Sequence, residues 1–175
     1  MGVYLVIFIE LIFLFLHLLF FMLIIFMILA LVKGAPYVPT NKKRREIMIK
    51  LAGIKKGMKT VDLGSGDGRL VISMAGGGAE AHGFEINLFL VLFSRLLIWK
   101  NHLKGKAFIH WNTFWRVDLS SFNVVTVYGI SRIMKDLEKK LRKELKPGSR
   151  VISNVFTFPD WKKQKTVDDV HLYTT

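Results

Sequence analysis

There is no cysteine among the 175 residues, so no disulfide staples this chain and no thiol can act as nucleophile or metal ligand. The same absence fits a reducing compartment. Proline is rare, with four residues at 36, 39, 147 and 159, and none interrupts a long apolar or amphipathic run. Acid is scarce too: 13 Asp and Glu stand against 26 Lys and Arg, a formal charge of +13. The five histidines, His17, His82, His102, His110 and His171, show no metal-ligand spacing, and no metal is expected. No Ser, His and acid are arranged as a hydrolytic triad. There is no internal repeat, and 175 residues leave room for one domain and an appendage.

The appendage is an apolar run. From Val3 to Val32 only Glu10 and His17 are not apolar. Thirty residues of helix span about 45 Å, against about 30 Å of hydrocarbon in a bilayer. The spacing predicts a transmembrane helix with length to spare, best placed at Leu11–Val32, with residues 3–32 in contact with lipid. A signal peptide would show a basic start, a shorter apolar core and a small-residue cleavage site, none of which is present. All basic residues lie from Lys33 onward, beginning with Lys33, Lys42, Lys43, Arg44 and Arg45. The positive-inside rule then predicts a single-pass membrane protein with its C-terminal domain on the cytoplasmic side. The positive excess of that domain suits anionic lipid and solubility better than nucleic acid, given an anchor in the same chain.

Three parts are expected: an anchor at 1–33, a linker with an N-terminal helix at 34–58, and an α/β domain at 59–175. Pro36 and Pro39 make residues 34–40 extended, and Thr40 or Asn41 caps a helix to about Ala52 with Ile47, Met48 and Leu51 on its apolar stripe. Strands are predicted at Lys59–Leu63, Ala81–Glu85, Ala107–His110, Asn123–Tyr128 and Arg150–Phe156, with a closing strand pair in Thr166–Tyr173. Helices are predicted from about Gly68 to Ala75, at Leu88–Asn101 and at Ile133–Leu145. Helix 88–101 is apolar nearly all round but short for a second span, so a buried helix is expected, with one face possible against lipid. Strands alternating with helices give a parallel sheet covered on both faces, with ligands at the carboxyl ends of its strands.

Residues 60–69 read Thr-Val-Asp-Leu-Gly-Ser-Gly-Asp-Gly-Arg. Gly64, Gly66 and Gly68 permit a tight strand-to-helix turn and let a ligand lie against the main chain. Glu85 ends the next strand, about twenty residues on, where an acid accepts hydrogen bonds from ribose hydroxyls. A dinucleotide fingerprint would have a third glycine where Arg69 stands, and a P-loop would need Gly-Lys-Ser/Thr. The loop resembles the S-adenosylmethionine (SAM) loop of class I methyltransferases. Ser65 lies within that loop. Asp62, at a strand end, is expected to hold loop amides or, through water, the amino group of the cofactor. Asp67 is either a turn former or a cofactor contact. Asn112 follows the third strand, where an amide can read adenine, and Tyr128 ends the fourth, where an aromatic group can surround a methylammonium. Trp111, Phe114, Trp115 and Trp161 are further aromatic candidates, each more readily explained by packing.

Beyond that loop, the segments Tyr37-Val38-Pro39-Thr40, Gly83-Phe84-Glu85-Ile86-Asn87, Val124-Val125-Thr126-Val127-Tyr128-Gly129 and Phe156-Thr157-Phe158-Pro159-Asp160-Trp161 resemble a family of small protein-lysine methyltransferases. That family includes soluble archaeal members and membrane-anchored mitochondrial enzymes acting on the ATP synthase c ring protein and the adenine nucleotide translocase. The resemblance covers roughly residues 36–173. It implies a Rossmann-like class I SAM-dependent methyltransferase sheet with helices on both faces, preceded here by one N-terminal transmembrane helix. It further implies that Tyr37 and Thr40 close over the methionine end of SAM, that Glu85 takes the ribose and that Asn112 takes the adenine, a place where mitochondrial relatives tend to have Asp. Tyr128 and Tyr37 are the candidate catalytic residues. The expected function is methyl transfer from SAM to lysine side chains of membrane proteins, with S-adenosylhomocysteine as product. An RNA or small-molecule methyltransferase is the alternative, weakened because Tyr128-Gly129-Ile130-Ser131 stands where many base-nitrogen methyltransferases have Asn/Asp-Pro-Pro-Tyr. A non-catalytic SAM- or nucleotide-sensing membrane module is a third reading.

Overall fold

A computed structural model describes residues 2–33 and 38–175, with side chains described for 2–25 and 38–175. Two compact units form, Met1–Pro36 and Tyr37–Thr175. The first is one helix, α1 (Gly2–Lys33). Neither Gly nor Pro interrupts it after Gly2, and its Leu, Ile and Phe side chains are exposed along its described length. Within it, Gly2–Ile25 is long and apolar enough to cross a membrane. His17 is satisfied within the helix: its Nδ1–H donates to the carbonyl of Phe13 across 2.7 Å.

The second unit opens with α2 (Lys42–Ala52), capped by Asn41, whose Oδ1 accepts the Arg44 N–H at 2.9 Å. Then come β1 (Lys59–Leu63), α3 (Arg69–Gly76), β2 (Glu80–Glu85), α4 (Leu88–Lys100), β3 (Ala107–Trp111) and a short 3-10 turn at Phe114–Arg116. β4 (Val124–Val127), α5 (Ser131–Glu144), β5 (Arg150–Asn154), β6 (Lys165–Val167) and β7 (Val170–Thr174) follow. The sheet order is β3-β2-β1-β4-β5-β7-β6. The first five strands are parallel, and β7 joins β5 antiparallel with β6 beside it. Strand order reverses between β1 and β4, which places the switch point at their carboxyl ends.

Alternation along the strands divides the core between two faces. Val61, Leu63, Val125, Val127 and Val151 pack with Met134, Leu137 and Leu141 of α5. Ala81, Ile109, Val124 and Ile152 pack with Met48 and Ala52 of α2, Val71 and Met74 of α3, and Val91 and Ile98 of α4. The Phe-Thr-Phe-Pro-Asp-Trp segment serves packing: Phe158 and Trp161 are buried around Tyr173, whose hydroxyl oxygen accepts the Phe158 N–H at 3.2 Å.

Three expectations need correction. β4 stops at Val127, so Tyr128 stands just beyond the strand rather than in it. β5 stops at Asn154, not Phe156, because Val155 adopts φ of 68°, a left-handed value no strand continues through, and the Phe156 N–H turns back onto the Asn154 carbonyl at 2.9 Å. α4 is not a buried helix: Val91, Ser94 and Ile98 are buried, but its outer face is open.

Candidate active site

The β1–α3 loop is stitched to β2. The N–H groups of Gly64 and Ser65 both donate to the Phe84 carbonyl, at 3.0 and 3.1 Å. Gly64 has φ of 80°, and a Cβ built there would meet nothing within 4 Å, so a hollow lies directly over the main chain. Gly83 beneath is the reverse case, since a Cβ there would lie 2.6 Å from Ser65 Cβ and 2.8 Å from Ile109. Gly66 and Gly68 also take positive φ, at 54° and 77°.

Glu85, buried at the end of β2, ties the loop to the next helix. One carboxylate oxygen accepts the Gly66 N–H at 2.9 Å and the other the Asn87 N–H at 2.8 Å. Each oxygen keeps a further lone pair. Asn112 is exposed at the end of β3. Its N–H donates to the Glu85 carbonyl at 3.1 Å and its Oδ1 accepts the Thr113 N–H at 2.8 Å.

Asp62 lies below the loop, fully buried, and its Oδ1 accepts the Thr126 hydroxyl at 2.6 Å. Burial, chiefly, pushes its carboxyl up to about 7, with the charges of Glu85 and Asp67 acting in the same direction and the Thr126 bond opposing. Asp67 is held in a fork by Arg69, whose Nε donates to both its oxygens (2.9 and 3.0 Å) and whose Nη2 donates to Oδ2 at 2.6 Å. Arg69 Nη1 also donates to the carbonyl of buried Thr40 at 2.8 Å. The residue standing where a dinucleotide fingerprint has glycine therefore clamps the N-terminal segment to the glycine loop. Tyr37 lies outside the described residues.

The register aligns Leu63, Val127 and Ser153 across the sheet, so Gly64, Tyr128 and Asn154 follow at the next level. Tyr128 is half-buried, its ring 6.2 Å from that of Phe156. Asn154 is 0% exposed and neither atom of its amide has a hydrogen-bond partner. Ser65 Oγ, also buried, has none. Sequence reasoning missed Arg69 and Asn154. Arg69 was marked only as a departure from a glycine pattern, and a polar residue closing an apolar strand was the one signal for Asn154.

These residues fit SAM. The hollow above Gly64 accepts a flat nucleoside, Glu85 retains acceptor capacity for a diol, and the buried Ser65 hydroxyl and Asn154 amide have bonds still to make. Asp62 and Glu85 make the surroundings anionic, which favours a cationic sulfonium and repels a pyrophosphate.

A model of the ANTKMT methyltransferase domain family matches residues 62–165. A lysine N-methyltransferase of Homo sapiens whose target is the ATP synthase c ring protein is 40% identical over 126 residues, covering 72% of this chain and 54% of that protein. The chain thus spans about half the length of that relative. A protein-lysine N-methyltransferase of Saccharolobus islandicus is 36% identical over 141 residues, covering 79% of this chain and 88% of that protein. A crystal structure of an RNA methyltransferase from Salinibacter ruber in complex with S-adenosyl-L-homocysteine superposes with a TM-score of 0.76 at 32% identity, covering 78% of this chain and 93% of that one. The fold is that of a class I SAM-dependent methyltransferase.

Proposed function

Since the chain belongs to the ANTKMT methyltransferase-domain family, we propose that it is a membrane-anchored, SAM-dependent protein-lysine methyltransferase acting on membrane proteins. The glycine-floored, acid-lined hollow at the switch point carries this reading, and the lysine methyltransferases it resembles supply the substrate class. The apolar helix α1 supports the anchor, and Lys33 with the basic residues at 42–45 supports a cytoplasmic active site.

When bound, SAM supplies a methyl carbon on a positively charged sulfur, and transfer to the lysine amine leaves S-adenosylhomocysteine. The protein's share is placement, which can supply about 7–11 kcal/mol of a displacement barrier. Glu85 takes the ribose hydroxyls while still holding the Gly66 amide, and Gly64, Ser65, Gly66, Asp67 and Gly68 form the floor. Asp62 receives the ammonium end, Asn112 the adenine, and Thr40 with Tyr37 covers the methionine portion. Tyr128 and Phe156 wall the target amine. Their apolar faces lower the lysine pKa by desolvation, so the amine reaches the methyl carbon neutral, and the rings then accommodate the methylammonium product. The chain presents no evident general base there, so the proton leaves through water.

The test is transfer of labelled methyl groups into membrane and soluble extracts, with and without nuclease, followed by mapping of the modified residue. Label on a lysine of a membrane protein, insensitive to nuclease, is expected. Nuclease-sensitive label would favour RNA, the reading suggested by the basic surface and by the Salinibacter ruber structure.

A further inference from the structure

α4 turns an apolar stripe to solvent. Leu92, Phe93, Leu96 and Trp99 are between 50% and 58% exposed, spaced so that all four share one helix face, while Val91, Ser94 and Ile98 hold the other face to the sheet. A contiguous apolar stripe of this kind on a folded domain marks an interaction surface. Charge indicates the occupant. No acid occurs between Glu85 and Asp118, whereas Arg95, Lys100, Lys104, Lys106 and Arg116 do, and Lys100, Lys104 and Lys106 are exposed beside the end of the helix. A stripe of Leu and Phe bordered by lysines matches acyl chains below an anionic headgroup layer.

The aromatic residues agree. Trp99 closes the stripe, and Trp111 is 60% exposed with its indole N–H already donated to the Ile86 carbonyl at 3.0 Å, so the ring offers outward mainly its apolar surface. Tryptophan is enriched where apolar and headgroup layers meet.

We infer that α4 is a membrane-docking helix, lying along the bilayer surface with the Leu92–Trp99 stripe against the acyl chains. The inference rests on the membrane placement proposed above and deepens it. Asn87, which caps α4, stands two residues after Glu85. A docked α4 therefore keeps the cofactor loop at membrane level and restricts the accessible lysines to those near the bilayer surface.

The experiment uses the full chain, reconstituted into vesicles of phosphatidylcholine and phosphatidylglycerol with brominated acyl chains. All four tryptophans lie at or after position 99, so intrinsic fluorescence reports the domain and not α1. Brominated lipid is expected to quench the fluorescence. Trp99→Phe should reduce the quench at least roughly twofold, and Leu92→Ser with Leu96→Ser should reduce it similarly, with unchanged flotation and thermal melting, because these side chains are solvent-facing. A chain that floats with its vesicles but is not quenched keeps the anchor and overturns the docked helix. A chain that does not float overturns the anchor and the docked helix with it. Cross-links between copies through position 93 or 96, without quenching, would assign the stripe to self-association and also overturn the proposal.

Discussion

The Thr126 hydroxyl and the Asp62 carboxylate meet across 2.6 Å in the floor of the active site, on neighbouring strands and 64 positions apart. The bond satisfies one oxygen of a carboxyl that burial pushes up to about 7. Folded-state protonation is thus favoured over the unfolded value of 3.8, and the stability it contributes is present below pH 4 and lost as pH rises through about 7. Asp62→Asn removes that loss. The substituted chain should be more stable than the parent at pH 8, by at most about 4 kcal/mol, and the two should converge near pH 4. Chemical denaturation across that range is the check.

Cofactor affinity should run opposite to stability. A cationic ligand prefers the ionised Asp62, so the dissociation constant for SAM should fall by up to about tenfold per unit as pH rises toward 7, and level off above it. The Asp62→Asn chain should show a flatter profile by calorimetry. An identical slope in both chains would remove Asp62 from the cation site.

Glu85 has a structural duty, which separates two substitutions. Glu85→Gln retains an acceptor for the Gly66 N–H, whereas Glu85→Ala leaves that buried donor unsatisfied. Both should weaken SAM by roughly 100-fold, as expected for loss of charge-assisted bonds to hydroxyls. Only the Ala chain should also melt earlier, by an amount equivalent to about 1–3 kcal/mol. Unchanged binding in either chain contradicts the ribose role.

Much of this architecture was legible from spacing. The glycine loop, Glu85 and the β/α alternation all carry local signatures, because turn, strand and helix are each set by a few consecutive residues. Contacts across the sheet were not legible. Nothing near Asp62 in sequence names Thr126, and nothing near Arg69 points back to the Thr40 carbonyl. α4 misled for a different reason: a helix apolar on all sides has no periodicity to say which side the sheet covers, so it reads as buried. The end of β5 was hidden because Val155 is β-branched and suits a strand in every respect except the backbone angle it adopts.

Arg69 offers a test of the clamp. Lysine at that position keeps the charge but cannot donate from a fork to Asp67 and also reach Thr40. Arg69→Lys should cost about 1–3 kcal/mol of stability and raise amide exchange at residues 40–44 more than elsewhere in the domain. Because the affected segment follows Tyr37, the Michaelis constant for SAM should rise. Uniform exchange across the domain would show that the clamp does not govern the segment.

Asn154 separates folding from function most cleanly. Its amide is buried with no partner, and an unsatisfied group of this kind costs about 1–3 kcal/mol. Leucine is not much larger and has no polar atoms, so Asn154→Leu should raise the melting temperature of the ligand-free chain by several degrees. If the amide is kept for a ligand or a target lysine, the gain has a functional consequence. The bound state offers asparagine the bonds it lacks, and leucine can make none of them. The stabilisation produced by saturating S-adenosylhomocysteine and target peptide should therefore be smaller in the Asn154→Leu chain than in the parent. A higher melting temperature with undiminished ligand stabilisation and turnover would instead make Asn154 a tolerated packing defect at the end of β5.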